Sequence, residues 1–270
     1  MDKRITDQAE GLRRLLAGRA NRIVAVTGGP VGVGCTSAVV NLAAALAALG
    51  KEVLVVDERN DANSAAATLG SARLRSGNAV RHEAGFSLCV AADLARDGYD
   101  DERLAAYLEG AADIVLVDAQ RDANGALSAL ARAAHDVLIV TRVAGSAITE
   151  AYACMKRLHY AHALAQFRVL VNHVQSESDA RAAYENLAGV AGRYLTVALA
   201  EGGYVSADPL VPRARELVHT VVDAFPSSAA ARDYRQIASD LLYWPMRPTN
   251  PAGRAFAGHP AVERGAAHAV

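Results

Sequence analysis

Aromatic side chains are scarce in this chain: they make up 5% of 270 residues, with a single tryptophan. A core short of rings has to be built from Ala, Val and Leu, the composition of helix-covered parallel sheets. Cysteine is scarcer. Cys35, Cys89 and Cys154 lie far apart, with no metal-ligand spacing and no disulfide framework, which suits a reducing cytoplasm. Neither sign of charge dominates, with 28 Lys plus Arg against 29 Asp plus Glu. Bulk charge therefore argues for neither nucleic acid nor an anionic membrane. No apolar run reaches the ~20 residues of a membrane span, and Asp7 and Glu10 stand where a leader peptide would carry its apolar stretch. The histidines show no HExxH or paired spacing, and Ser146 and Ser206 lack a nucleophile-elbow context. What remains is a soluble intracellular protein long enough to bury a sizeable core.

The stretch that organises the chain is RIVAVTGGPVGVGCTS, from Arg22 to Ser37. It reads as a buried strand, a loop with Gly28, Gly29, Gly32 and Gly34, and a helix opening at Thr36. Strand, glycine loop and helix in that order form the frame of a phosphate-binding loop, in which backbone N–H groups turn inward around an anion. In a working Walker loop the residue before the Thr is a lysine that reaches the β- and γ-phosphates. Here it is Cys35.

Apolar strands alternate with 10–18-residue helical stretches along the rest of the chain. The pattern predicts a doubly wound, mostly parallel α/β sheet flanked by helices over residues 23–244. Strands are expected at Lys51–Asp57, Phe86–Val90, Ile114–Val117, Asp136–Thr141 and Arg168–Asn172, with two more at Leu195–Leu199 and Tyr204–Ala207. Residues 71–85 read as a connection, 101–111 as a helix, and Val211–Phe225 and Ser228–Tyr243 as two helices separated by Pro226. Thr27, Asp57, Asp118, Thr141 and Asn172 fall at strand ends, the carboxyl edge where ligands of such sheets sit. Residues 1–22 carry Ile5, Ala9, Leu12 and Leu16 at helical spacing, with six basic residues against three acidic. They form a helix that either packs on its own domain or docks on a partner. The stretch 245–270 is rich in Pro, Gly and Ala and reads as a disordered tail.

With the loop, Asp57 and Asp118 in place, the chain resembles the MinD/ParA-type P-loop ATPases. More narrowly, it resembles the FlhG (FleN) family of flagellar number and placement regulators. Four stretches carry the likeness: DQAEGLRRL (Asp7–Leu15), AITEAYACMKRL (Ala147–Leu158), RVLVNHVQSESDAR (Arg168–Arg181), and YVSADP (Tyr204–Pro209) with AFPSSAAAR (Ala224–Arg232). The resemblance implies that Asp7, Gln8, Ala9, Leu12 and Arg13 lie on a helix acting on the GTPase FlhF. It places Asn172 near a nucleotide base and counts Asp208 among the nucleotide-binding residues. Flagellar switch proteins and a flagellar transcriptional regulator are further implied partners. Location would be cytoplasmic, with at most peripheral contact at the inner membrane or cell pole.

The departures fall in the nucleotide site. Against the family's KGGxGKT, the signature lysine falls on Pro30, its neighbouring glycine on Val31 and the Walker lysine on Cys35. Against its DAD switch, Asp57-Glu58-Arg59 puts Arg59 where the water-positioning acid belongs. A cation about 4 Å from a phosphate is worth ~4 kcal/mol at an effective dielectric near 20, roughly a thousandfold in affinity. The expected loop (Gly28, Gly29, Pro30, Gly32, Val33, Gly34, Cys35, Thr36, Ser37) therefore holds ATP weakly or not at all. Thr36 and Asp118 remain as Mg²⁺ ligands should a nucleotide bind. Arg59 and Arg121 either replace the lost cations or pair internally with Asp57 or Asp118. Hydrolysis is expected to be absent or very weak. A slow ATPase switching between monomer and dimer at the membrane is the alternative, and a ParA-like partition protein is disfavoured by the balanced charge.

Overall fold

Along the first strand successive side chains enter different cores: Val24 and Val26 go to one and Ala25 to the other, all with no exposed surface. Burial on both faces is what a central parallel strand requires, and it explains the unbroken apolar runs. The computed structural model describes residues 21–70, 79–91 and 112–245. Residues 1–20 of the expected partner helix, the helix expected over 101–111 and the tail beyond Pro245 lie outside the described residues.

Eight strands form one sheet among those residues: β1 (Arg22–Gly28), β2 (Val53–Asp57), β3 (Val80–Arg81), β4 (Ser87–Val90), β5 (Ile114–Asp118), β6 (Asp136–Thr141), β7 (Gln166–Val174) and β8 (Ala198–Ser206). Their order is β3-β4-β2-β5-β1-β6-β7-β8, and all pairs are parallel except β3 with β4. Strands β2 to β5 all lie to one side of β1 and β6 to β8 to the other, so β1 is the topological switch point where a crevice opens at the carboxyl edge.

Helix α1 (Cys35–Ala48) follows β1. Ten of its 14 residues are buried, because the sheet lies on one side and α8 (Ala229–Leu241) on the other. Its apolar residues accordingly run nearly all round. The short helices α2 (Ala65–Thr68) and α7 (Val221–Ala224) join that layer, and α3 (Ala129–Arg132), α4 (Gly145–His162) and α5 (Glu177–Tyr194) cover the opposite face. Between them in sequence lies α6 (Leu210–Glu216). Tyr234, Ile237 and Leu241 of α8 and the following Trp244 are all buried, so the apolar side of the last helix faces the domain. No helix among the described residues is long and apolar enough to cross a membrane.

Three expectations change. Part of the 71–85 connection is a strand, since Val80 and Arg81 pair antiparallel with Leu88 and Ser87. The two strands expected at 195–199 and 204–207 are one, β8, with irregular register against β7. The single helix expected at 211–225 is two, because Val218 turns left-handed at φ 64 and Thr220 caps a new helix through the amide of Asp223.

Candidate functional site

The glycine loop between β1 and α1 lies flat on its neighbours. A Cβ at Gly29 would meet Glu150 and Ala151 of α4 at 2.8–2.9 Å. Gly34 adopts φ 108 as the residue before α1, in a conformation that L side chains rarely take, and no side chain caps the helix there. The first backbone bond of α1 runs from Ala38 to Gly34 at 2.9 Å; the Val33 amide turns back to the Pro30 carbonyl at 3.3 Å, while the amides of Cys35, Thr36 and Ser37 find no protein acceptor among the described residues. That is the geometry by which a helix start receives an anion. Asn172, from β7, reaches across to the loop and donates to the carbonyl of Val33 at 2.9 Å. At the tip, Pro30 has no N–H to offer and Val31 is 93% exposed.

Sheet register sets two carboxylates side by side at the carboxyl edge. Asp57 of β2 pairs with Asp118 of β5, and both are fully buried. The Thr36 hydroxyl donates to Asp118 Oδ2 at 2.7 Å, so the donor pair that magnesium takes in a Walker site is assembled. The other oxygen of Asp118 is held by Arg59, whose Nε lies 3.3 Å from Oδ1. Arg59 also gives its amide to Asp57 Oδ1 at 3.0 Å, while the second Asp57 oxygen accepts from the amide of Ala66. Of the two internal pairings open to its side chain, Arg59 takes Asp118.

Burial pushes the Asp118 carboxyl up to about 6 from an ordinary 3.8, against the opposing pull of Thr36 and Arg59. A carboxyl raised in the folded state costs stability once the unfolded chain ionises. The contribution of Asp118 is therefore full below about pH 3.8 and is lost as pH rises through about 6. Removing the cation raises the group further, so Arg59→Ala is expected to move Asp118 above about 6 in a carboxyl NMR titration. An unchanged midpoint would show that Arg59 does not neutralise this carboxylate.

Cys35 is buried against Gly28, and burial pushes its thiol up to about 12, with Asp118 adding to the rise. That is opposite to the depressed thiol a reactive cysteine at a helix start needs. Iodoacetamide is expected to alkylate Cys35 in the folded chain roughly a thousandfold more slowly than a free thiol, measured by peptide mass spectrometry. A rate equal to that of a free thiol would overturn this.

Beside the loop opens a cleft of about 220 Å³ lined by Thr27, Gly29, Cys35, Arg59, Arg121 and Arg157 among others. Arg121 donates to the Gly29 carbonyl at 3.2 Å. Arg157, on α4, and Arg142, which donates to the Gly32 carbonyl at 2.8 Å, come from segments no phosphate-loop motif marks. Glu58 accepts from the Gln120 amide at 3.1 Å and from the Ser128 hydroxyl, tying the two carboxylate loops together. Asp208 has no hydrogen bond to the loop among the described residues. Its oxygens accept from the amides of Leu210 at 2.9 Å and Ala230 at 3.0 Å, so it clasps α6 to α8. Burial pushes that carboxyl up, but these bonds outweigh it and hold the group below its usual value. The partner residues Asp7, Gln8, Ala9, Leu12 and Arg13 lie outside the described residues.

Residues 24–214 match the model of the CobQ/CobB/MinD/ParA nucleotide-binding domain. The antiactivator FleN of Pseudomonas aeruginosa is 30% identical, over 86% of this chain and 90% of that one. The chain belongs to the FleN (FlhG) branch of the MinD/ParA family. Solved folds agree. The Aquifex aeolicus MinC:MinD cell division complex includes a chain that superposes with a TM-score of 0.64 at 21% identity, over 83% of this chain and 97% of its own. Pyrococcus furiosus MinD, a cell division ATPase, gives 0.61 at 17% identity, over 84% of this chain and all of its own.

Proposed function

We propose that this FleN-family chain is a flagellar regulator that works through protein contacts on a nucleotide-binding frame without effective hydrolysis. The observation that supports it is the Arg59 guanidinium seated on Asp118, beside the Thr36 hydroxyl. The donors present fit Mg²⁺: a hydroxyl and a carboxylate, both hard oxygens. They do not fit cleavage. No carboxylate stands at position 59 to orient water, and the loop carries no lysine to draw charge from a γ-phosphate. An internal cation on Asp118 stabilises the nucleotide-free arrangement instead.

On this reading the partner surface is the 1–22 helix, with Asp7, Gln8, Ala9, Leu12 and Arg13 toward an FlhF-type GTPase. The 23–244 domain faces flagellar switch or transcriptional proteins. Support comes from the relative's being an antiactivator and from the DQAEGLRRL stretch. Calorimetric titration with ATP and ADP plus Mg²⁺, with phosphate release followed in parallel, tests it. The expected result is no turnover; turnover comparable to an intact family member would sink the reading. A second reading has one observation in its favour: Arg59, Arg121 and Arg157 line a single cleft beside the loop. Guanidinium groups are good phosphate ligands, and three of them would hold a nucleotide without cleaving it. Binding by wild type that is lost in Arg59→Ala supports that version, and equal binding by both removes it.

A further inference from the structure

Away from the loop, three side chains from two distant segments converge on one point. Glu83 sits in the turn between β3 and β4, and His219 and Asp223 come from the link between α6 and α7 and from α7 itself. The local backbone explains the convergence. Helix α6 closes with left-handed Val218, and the amides of Val218 and His219 return to the carbonyls of Arg215 and Ala214 at 3.0 Å each. His219 and Asp223 are then one turn apart on one side of the chain. In the hairpin, the His82 amide bonds to Phe86 at 2.7 Å and the Gly85 amide to His82 at 3.0 Å, which leaves Glu83 on the turn.

His219 Nδ1 lies 3.0 Å from Glu83 Oε1 and 3.5 Å from Asp223 Oδ2. All three ligand atoms fall within 4.8 Å of one another. The Nδ1 atom is shielded from solvent, yet it makes no hydrogen bond to either carboxylate. An imidazolium serving as a simple ion-pair partner would turn its N–H toward one of them. A tetrahedral Zn²⁺ with bonds of about 2.1 Å places its ligand atoms roughly 3.4 Å apart, within the range of the two spacings found. We propose that Glu83, His219 and Asp223 form a binding site for a first-row divalent cation, Zn²⁺ foremost, with its remaining position open to water. Imidazole with two carboxylates suits zinc and its neighbours rather than magnesium, which prefers oxygen alone. His82 stands beside the site without joining it, since its Nδ1 accepts the Ala84 amide at 3.1 Å and its ring stacks on Phe86.

Such an ion would act as a clamp rather than a catalyst. It ties a hairpin whose outer strand has only two residues to the link ahead of α7. The amides of Val221 and Val222 are in turn held by Asn41 Oδ1 of α1, at 2.7 and 3.4 Å, so the clamp is one step from the loop helix. The competing occupant is a proton, and the test separates the two. Full-length protein stripped with chelator is titrated with Zn²⁺ alone by calorimetry, and thermal unfolding is followed with and without the ion. The expected result is saturable 1:1 uptake that raises the unfolding temperature. In His219→Ala and Glu83→Gln the affinity falls at least ~10-fold and the temperature shift disappears. Glu83→Gln lies in an exposed turn and carries the test should His219→Ala fail to fold. Absence of saturable uptake, or variants that bind like wild type, would overturn the site.

Discussion

Replacing Asp136 by alanine is expected to destabilise the fold by about 3–5 kcal/mol, the cost of stranding buried charge. The reason lies at the sheet edge opposite the candidate site. Asp136 opens β6 with almost no exposed surface and accepts from two arginines, Arg168 Nε at 2.9 Å and Arg22 Nη1 at 3.3 Å. Both arginines are themselves buried, at 5% and 7% exposure. Arg22 also donates to the Trp244 carbonyl, and the Arg168 guanidinium lies 4.0 Å over the Trp244 ring. The cluster joins the starts of β1, β6 and β7 to the chain just past the last helix, with Trp244 linked to the carboxylate through Arg22 and Arg168. Without it two guanidinium groups remain in a site whose burial already lowers the pKa of Arg22. Asp136→Asn, which keeps an acceptor but not the charge, is expected to fall between wild type and alanine. Urea unfolding monitored by Trp244 fluorescence gives the measurement, and a loss under about 1 kcal/mol would show that water already reaches the cluster.

The parts of this molecule written in short segments are legible in the sequence. Residues 22–37 carry strand, glycine loop and helix in one run, and Asp57 and Asp118 each close an apolar run, so their meeting at the carboxyl edge follows from the topology. Arg59 reads as a misplaced cation, but the sequence does not say which aspartate it takes. That choice depends on Asp118 sharing its other oxygen with Thr36, while the Asp57 oxygens already hold backbone amides. Elsewhere the signal is too short or too dispersed. β3 has two residues and no period to detect. The break between α6 and α7 falls on Val218, where nothing in residue type announces a left-handed turn. Arg142 reaches the loop from just after β6 and Arg157 lines the cleft from α4, and Arg22, Asp136 and Arg168 meet from three strands, so no local spacing marks either group.

Cys35→Lys is expected to raise the affinity for ATP–Mg²⁺ by roughly a thousandfold, the value of one cation about 4 Å from a phosphate oxygen. The frame for that lysine is already built. Cys35 is among the residues lining the cleft of about 220 Å³, and the turn at Gly34 needs no change. The Thr36 and Asp118 donors are in contact and ready for the metal once a phosphate competes for Arg59. Turnover is a separate matter. Position 59 still holds a guanidinium where a carboxylate would orient the attacking water, so Cys35→Lys is expected to bind without hydrolysing. Adding Arg59→Asp removes the internal cation and supplies the acid, and phosphate release should appear only in the double variant. Its size is limited because Pro30 still stands at the signature position. Calorimetry for affinity and a phosphate assay for turnover separate the two steps. Affinity that does not rise in Cys35→Lys would mean that the loop amides, not the missing cation, limit binding, and would remove the physical basis for calling this site degenerate.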